Sequence, residues 1–221
     1  MGAAYSPLPF FIEPMKYQPL NNVITLQLSK REIDRVFRER DARDWDKLIG
    51  VYDFLRLNLL RAADPAIWPT YQTRFNYFYQ VRRNEAWRKK FYEIFFKYAG
   101  GPKIDFRAVV NEIFAATGQV EMSFASKMAS TIDPELPVID RHVLSFLDRR
   151  PPPVSRPPEE RLKGIVALHD AMHDSFHAFL ETDAGRYLIE RFQNEHEAPN
   201  VGPMKMLDFV LWQSGGKRAV R

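Results

Sequence analysis

The chain of 221 residues contains no cysteine. Without a thiol there is no disulfide, no thiolate metal site, no iron–sulfur cluster and no cysteine nucleophile. That absence fits a reducing interior, and the cytoplasm is the expected compartment. Glycine is sparse, with ten residues. None of them falls in a phosphate loop, a dinucleotide fingerprint or a Gly-x-Ser-x-Gly elbow, so no cofactor is expected. No apolar run reaches the roughly 18 residues of a membrane span. The opening stretch MGAAYSPLPFF lacks a basic segment followed by an apolar one. Neither a membrane nor a secretory signal is therefore expected. Sustained period-2 alternation is missing, which argues against a sheet, and there is no internal repeat.

What the chain does contain is apolar and aromatic. Hydrophobic residues make up 45% and aromatics 14%, too much for intrinsic disorder. The length fits one domain or two tightly joined lobes and is ample for a core. Lys and Arg number 32 against 28 Asp and Glu, a net charge of +4. That mild excess permits a polyanionic partner without demanding one.

The spacing of apolar residues predicts an all-α, multi-helix globule. Residues 1–28 read as an extended lead-in, because Pro7, Pro9, Pro14 and Pro19 exclude helix. Within it, Val23 to Leu26 reads as a short strand or a docked arm. Ser29 with Glu32 forms a capping box ahead of a helix over 30–41. Further helices are expected at about 43–63, 69–83, 84–99, 103–117 and 120–132, with Gly100-Gly101-Pro102 as a break. The segment Arg149–Pro158 holds five prolines and reads as a linker. Helices at 159–181, 184–195 and 203–214 follow. Gly215-Gly216 is expected to end the last one, leaving a loose basic tail, Lys217 to Arg221.

The most informative stretch is Ser123–Leu147, SFASKMASTIDPELPVIDRHVLSFL. A helix carrying Lys127 ends at Asp133-Pro134. A short proline-bearing loop leads to Asp140, and a new helix starts at once with Arg141 and His142. The run Ile139-Asp140-Arg141-His142-Val143 resembles the Val-Asp-x-His-Val element of the helix-hairpin-helix DNA glycosylase superfamily. Lys127 falls where bifunctional members carry a Schiff-base lysine. The likeness covers about 25 residues directly. It departs from the family at Glu121-Met122-Ser123-Phe124-Ala125, which stands in place of a Gly-x-Gly hairpin, and in a shorter interval between Lys127 and Asp140.

The resemblance implies a base-excision glycosylase acting on double-stranded DNA, with AP-lyase activity if Lys127 attacks the sugar. Residues 1–42 with 140–221 would form one lobe and 43–139 the other, meeting at a cleft near Asp140. Asp140 would stabilise positive charge on the sugar or activate the nucleophile. Lys127 would form a Schiff base at C1′ of a flipped nucleotide. Ordinary readings stand beside these. Asp140 is a good helix N-cap whatever else it does, and Lys127 taken by itself reads as a solvated surface lysine. His142 reads as structural or phosphate-facing.

Tyr71–Tyr98 carries seven basic residues against two acidic ones, interleaved with rings. Arg82, Arg83, Lys89 and Lys90 are candidate DNA contacts, joined by Arg141 and His142. Phe75, Phe78, Phe91 and Phe95 fall at core spacing. His169, His173 and His177 share a helical stripe that could bind a metal. The helical angles place that stripe from the boundary out into solvent, so no metal is expected. Leu207 to Trp212 reads as a terminal helix docked on the core. Two other classes of function remain: a helical DNA-binding or interaction protein without chemistry, and a His-stripe metalloenzyme. The oligomeric state is left open.

Overall fold

A computed structural model describes residues 23–39, 42–101 and 103–218. The predicted lead-in over 1–22, Pro102 and the last three residues of the predicted tail lie outside them. The described residues form ten α-helices and no strand. These are α1 (Lys30–Glu39), α2 (Ala42–Leu57), α3 (Trp68–Tyr79), α4 (Glu85–Ala99), α5 (Phe106–Thr117), α6 (Met122–Ile132), α7 (Arg141–Phe146), α8 (Pro158–Leu180), α9 (Asp183–Glu195) and α10 (Pro203–Arg218). A single 3-10 turn, Leu59–Arg61, follows α2. The all-α expectation holds.

Local chemistry sets most of the boundaries. The Ser29 amide donates to the Glu32 carboxylate at 2.9 Å, and the Glu32 amide donates to Ser29 Oγ at 3.2 Å, closing the capping box. Asn84, Asp105, Asp140 and Thr182 each cap a helix with their side-chain oxygen. α2 stops earlier than its apolar spacing predicts, because Asn58 Nδ2 donates back to the Phe54 carbonyl at 2.9 Å. α3 also stops early, at Tyr79, where Gln80 turns left-handed at φ 54°. α5 ends at Gly118, φ 70°, which any other residue would hold with strain.

The predicted stop at Gly215-Gly216 is wrong. α10 runs on to Arg218. A Cβ on Gly215 would overlap the His142 carbonyl oxygen, so the glycine lets α10 press directly on the start of α7. Contact between helices outweighs the low helix propensity of glycine here. The arm before α1 is docked, not paired in a sheet. Ile24, Leu26 and Leu28 are buried while Val23 is exposed, and the Leu26 amide donates to Ser175 Oγ of α8 at 2.8 Å.

α10 packs on α1, α7, α8 and α9, while α5 packs on α4, α6 and α8. The rings of Phe75, Phe91 and Phe95 are wholly buried and meet at 5.6–5.9 Å. Burying each such side chain contributes about 1.5–3 kcal/mol. Phe78 is only half-buried, because it faces a cleft. The proline-bearing segment before α8 is non-helical as expected, and Arg149 in it donates to the Val23 carbonyl. Among the described residues no helix is long and apolar enough to cross a membrane.

Candidate active site

Asp140 sits at the N-cap of α7 for a reason written in the sequence. Pro137 precedes it and the extended Asp140 backbone (φ −121°, ψ 155°) turns into the helix at Arg141. Its Oδ1 accepts the His142 amide at 2.9 Å. The second oxygen, Oδ2, lies 3.9 Å from Lys127 Nζ. Lys127 reaches that point from the middle of α6. The Ile139 amide donates to Ser126 Oγ at 2.9 Å, which pins the loop before Asp140 against α6 and fixes the pair's separation.

Lys127 is not a solvated surface lysine. It is only 9% exposed, and its ammonium donates to the Tyr79 carbonyl at 3.1 Å. Burial pushes its pKa below the ordinary lysine range, and the Asp140 carboxylate only partly offsets this. A lysine so placed releases its proton, and so becomes a nucleophile, more readily than one in water.

Lys127 and Asp140 both line a cleft of about 830 Å³. That volume is within the range of about 300–1,000 Å³ typical of small-molecule sites. Its walls are aromatic: Trp45, Tyr77, Phe78, Phe209 and Trp212 all contribute. Trp212 is 43% exposed and meets the His142 ring edge-on at 5.5 Å. Flat faces of this kind suit a planar heterocycle. Arg82, Arg141 and His142 line the same cleft. Arg82 is steadied by Gln80 Oε1 at 3.1 Å, the residue held in the left-handed conformation.

The other candidate contacts lie elsewhere. Arg83 donates to Glu121 at 2.6 Å, tying the loop before α4 to the start of α6. Lys90 donates to the Ala116 carbonyl at 2.8 Å, near the C-terminal end of α5. Lys89 borders a separate shallow hollow with Trp68, Glu85 and Tyr92. The structure thus brings together Lys127, Asp140, Arg82, Arg141 and His142, and leaves Arg83, Lys89 and Lys90 outside the cleft.

Two charged groups of the site lie beyond the residues that the sequence pattern singles out: Asp208, within the run expected to dock on the core, and Lys205, just before it. Asp208 lines the cleft, and Lys205 behind it donates to Asp208 Oδ2 at 2.8 Å and to Ser130 Oγ at 3.1 Å. Lys205 is 2% exposed. Burial opposes its charge, but Asp208 and the phenol rings of Tyr79 and Tyr52 outweigh this and raise its pKa. Burial raises Asp208 as well; Lys205 offsets part of that rise and Asp140 adds to it. The signal for this pair was present: two opposite charges three residues apart in the otherwise apolar run from Pro203 to Trp212.

The histidine stripe is corrected. His169 is buried, stacked on Phe106 with ring centroids 3.8 Å apart. Burial, helped by His173 and opposed by a bond involving the Pro137 backbone, pushes its pKa down to about 3. His173 and His177 are half-buried. Among the described residues no three His, Asp or Glu side chains are grouped to hold a metal ion.

A short turn joins α5 and α6. Its left-handed residue is Gly118, and Glu121 stands at the N-cap of α6 with its carboxylate on Arg83. Comparison of the chain with protein families, curated proteins and solved structures finds no match.

Proposed function

We propose that this protein is a base-excision DNA glycosylase whose nucleophile is Lys127, acting on double-stranded DNA in the cytoplasm. The observation that carries the reading is the buried Lys127 amine, 3.9 Å from Asp140 in an aromatic-walled cleft. The extruded base lies among Phe78, Phe209 and Trp212. The neutral Lys127 amine attacks C1′ as the glycosidic bond breaks, and its electron pair leaves with the base. Asp140 stabilises the positive charge that grows on the sugar. One amine proton passes to the departing base and the other to the opened ring oxygen, which leaves an imine at C1′; loss of a C2′ proton to water and departure of the 3′ phosphate with its bonding pair then give the lyase step. Arg82 and Arg141 meet the phosphates on either side of the extruded nucleotide.

A duplex panel, each member carrying one damaged or mismatched base, tests this reading through base release and strand nicking. Release from at least one duplex, followed by nicking at the same site, is expected. Tight binding without release from any duplex favours the second reading, a helical DNA-binding protein without chemistry. The Glu121 carboxylate at the N-terminus of α6 would repel a phosphate approaching that turn, so it favours the other form of the second reading, an interaction protein without chemistry, for which neither binding to nor release from any duplex is the outcome.

A further inference from the structure

Two lysines converge on Tyr79 from different helices. Lys127 of α6 donates to its carbonyl at 3.1 Å, and Lys205 of α10 lies 5.7 Å from its ring. Lys205 also reaches Ser130, three residues beyond Lys127 on the same helix, and holds Asp208. A buried ion pair is a weak source of stability, since each ion costs several kcal/mol to desolvate. This pair differs from a core pair in that its carboxylate opens into the cleft that holds Lys127 and Asp140.

We propose that Lys205 is a positioning residue that sets the charge felt by Lys127: its ammonium occupies Asp208, which would otherwise pair with the Lys127 amine and keep it protonated. The inference rests on Lys127 being the reacting amine. The charged groups acting on Lys127 are Asp140 at the N-cap of α7, Arg141 of α7, and Asp208 and Lys205 of α10; Tyr79 of α3 meets it through its backbone carbonyl. Asp140 and Asp208 favour the ammonium, while Lys205 and Arg141 oppose it. With Lys205 neutralised, Lys127 would face two carboxylates and one guanidinium. A second cation that makes a lysine nucleophilic is an established device of amine catalysis.

The test is a pH titration of Lys127 by NMR in the whole protein with labelled lysine, assigned by loss of the signal in Lys127→Gln. Lys205→Met should raise the Lys127 midpoint by about one unit or more. Adding Asp208→Asn to that variant should remove the rise. Asp208→Asn alone should leave the midpoint at or below that of the wild type. An unmoved midpoint in Lys205→Met, or a rise that survives Asp208→Asn, overturns the proposal. If Lys205→Met does not fold, Asp208→Asn alone decides, because a raised midpoint there contradicts it. No DNA is present in this titration. Midpoints that move as expected without base release keep the charge coupling but remove the reaction it would serve; base release with immobile midpoints overturns the coupling and keeps the glycosylase reading.

Discussion

Asp140 performs two separable tasks, and an amide can take over only one. Oδ1 caps α7 on the His142 amide at 2.9 Å; Oδ2 faces Lys127 Nζ at 3.9 Å. Asn caps a helix about as well as Asp, so Asp140→Asn keeps the first task. The second is lost. At that separation two unit charges attract by about 4 kcal/mol at the effective dielectric of a protein site. Most of that gain is spent on desolvating the pair, and Lys127 can answer the loss by releasing its proton. The expected net loss for Asp140→Asn is therefore about 1 kcal/mol near neutral pH, a fall of about 2–4 °C in melting temperature for a chain of this size. Asp140→Ala loses the cap too, about 1 kcal/mol more. The rate separates the roles further. Both variants should lose at least about a hundredfold in single-turnover base release, the low end of what an acid–base group contributes. Melting curves and single-turnover assays on the three proteins side by side give the answer. An active wild type matched in rate by Asp140→Asn would reduce Asp140 to a cap and remove it from the chemistry.

Three further outcomes follow from the packing. His169 titrates in the unfolded chain near 6.5 but is pushed down to about 3 in the fold, so its neutral form is the stabilising one. Stability should be full above about pH 6.5 and fall as the pH drops toward 3, by about 2 kcal/mol at pH 5; urea midpoints should show a smaller acid loss in His169→Phe. Gly215→Ala should cost about 2–3 kcal/mol in chemical denaturation, because its Cβ has no room against the His142 carbonyl. Gln80→Gly should leave the melting temperature unchanged or higher, since it removes about 1 kcal/mol of left-handed strain, while freeing Arg82 and weakening DNA binding. A drop in melting temperature for that variant would mean that Gln80 is not strained.

The helices were legible because their apolar residues recur at helical spacing and their caps are side chains with one local job. Ser29 with Glu32 and Asp140 announce a helix start from within a few residues, while Asp105 caps α5 about three residues later than the apolar spacing places its start. Where local rules failed, a distant partner had intervened. Gly215 stops a helix in isolation, yet α7 lies against it and holds it helical. The His169 ring lies at the edge of its helix's apolar stripe, but Phe106 of another helix covers it. The same limit applies to the site. Asp140 and Lys127 stood out by their place in one contiguous stretch. Lys205 and Asp208 come from some 65 residues later in the chain and join them only through the packing of α10. Arg83 and Lys90 read as phosphate contacts because their charge was visible and their partners, Glu121 and the Ala116 carbonyl, were not.

The central claim is that the Lys127 amine forms a covalent bond to the sugar. A duplex carrying one abasic site presents an aldehyde at C1′, and a neutral amine condenses with it to an imine with loss of water. Borohydride reduces that imine to a stable secondary amine, which migrates as a protein–DNA adduct. The account predicts an adduct with the wild type, mapped to Lys127 by peptide mass, and none with Lys127→Gln. An adduct of undiminished yield in Lys127→Gln, or base release by the wild type with no adduct at all, would contradict it.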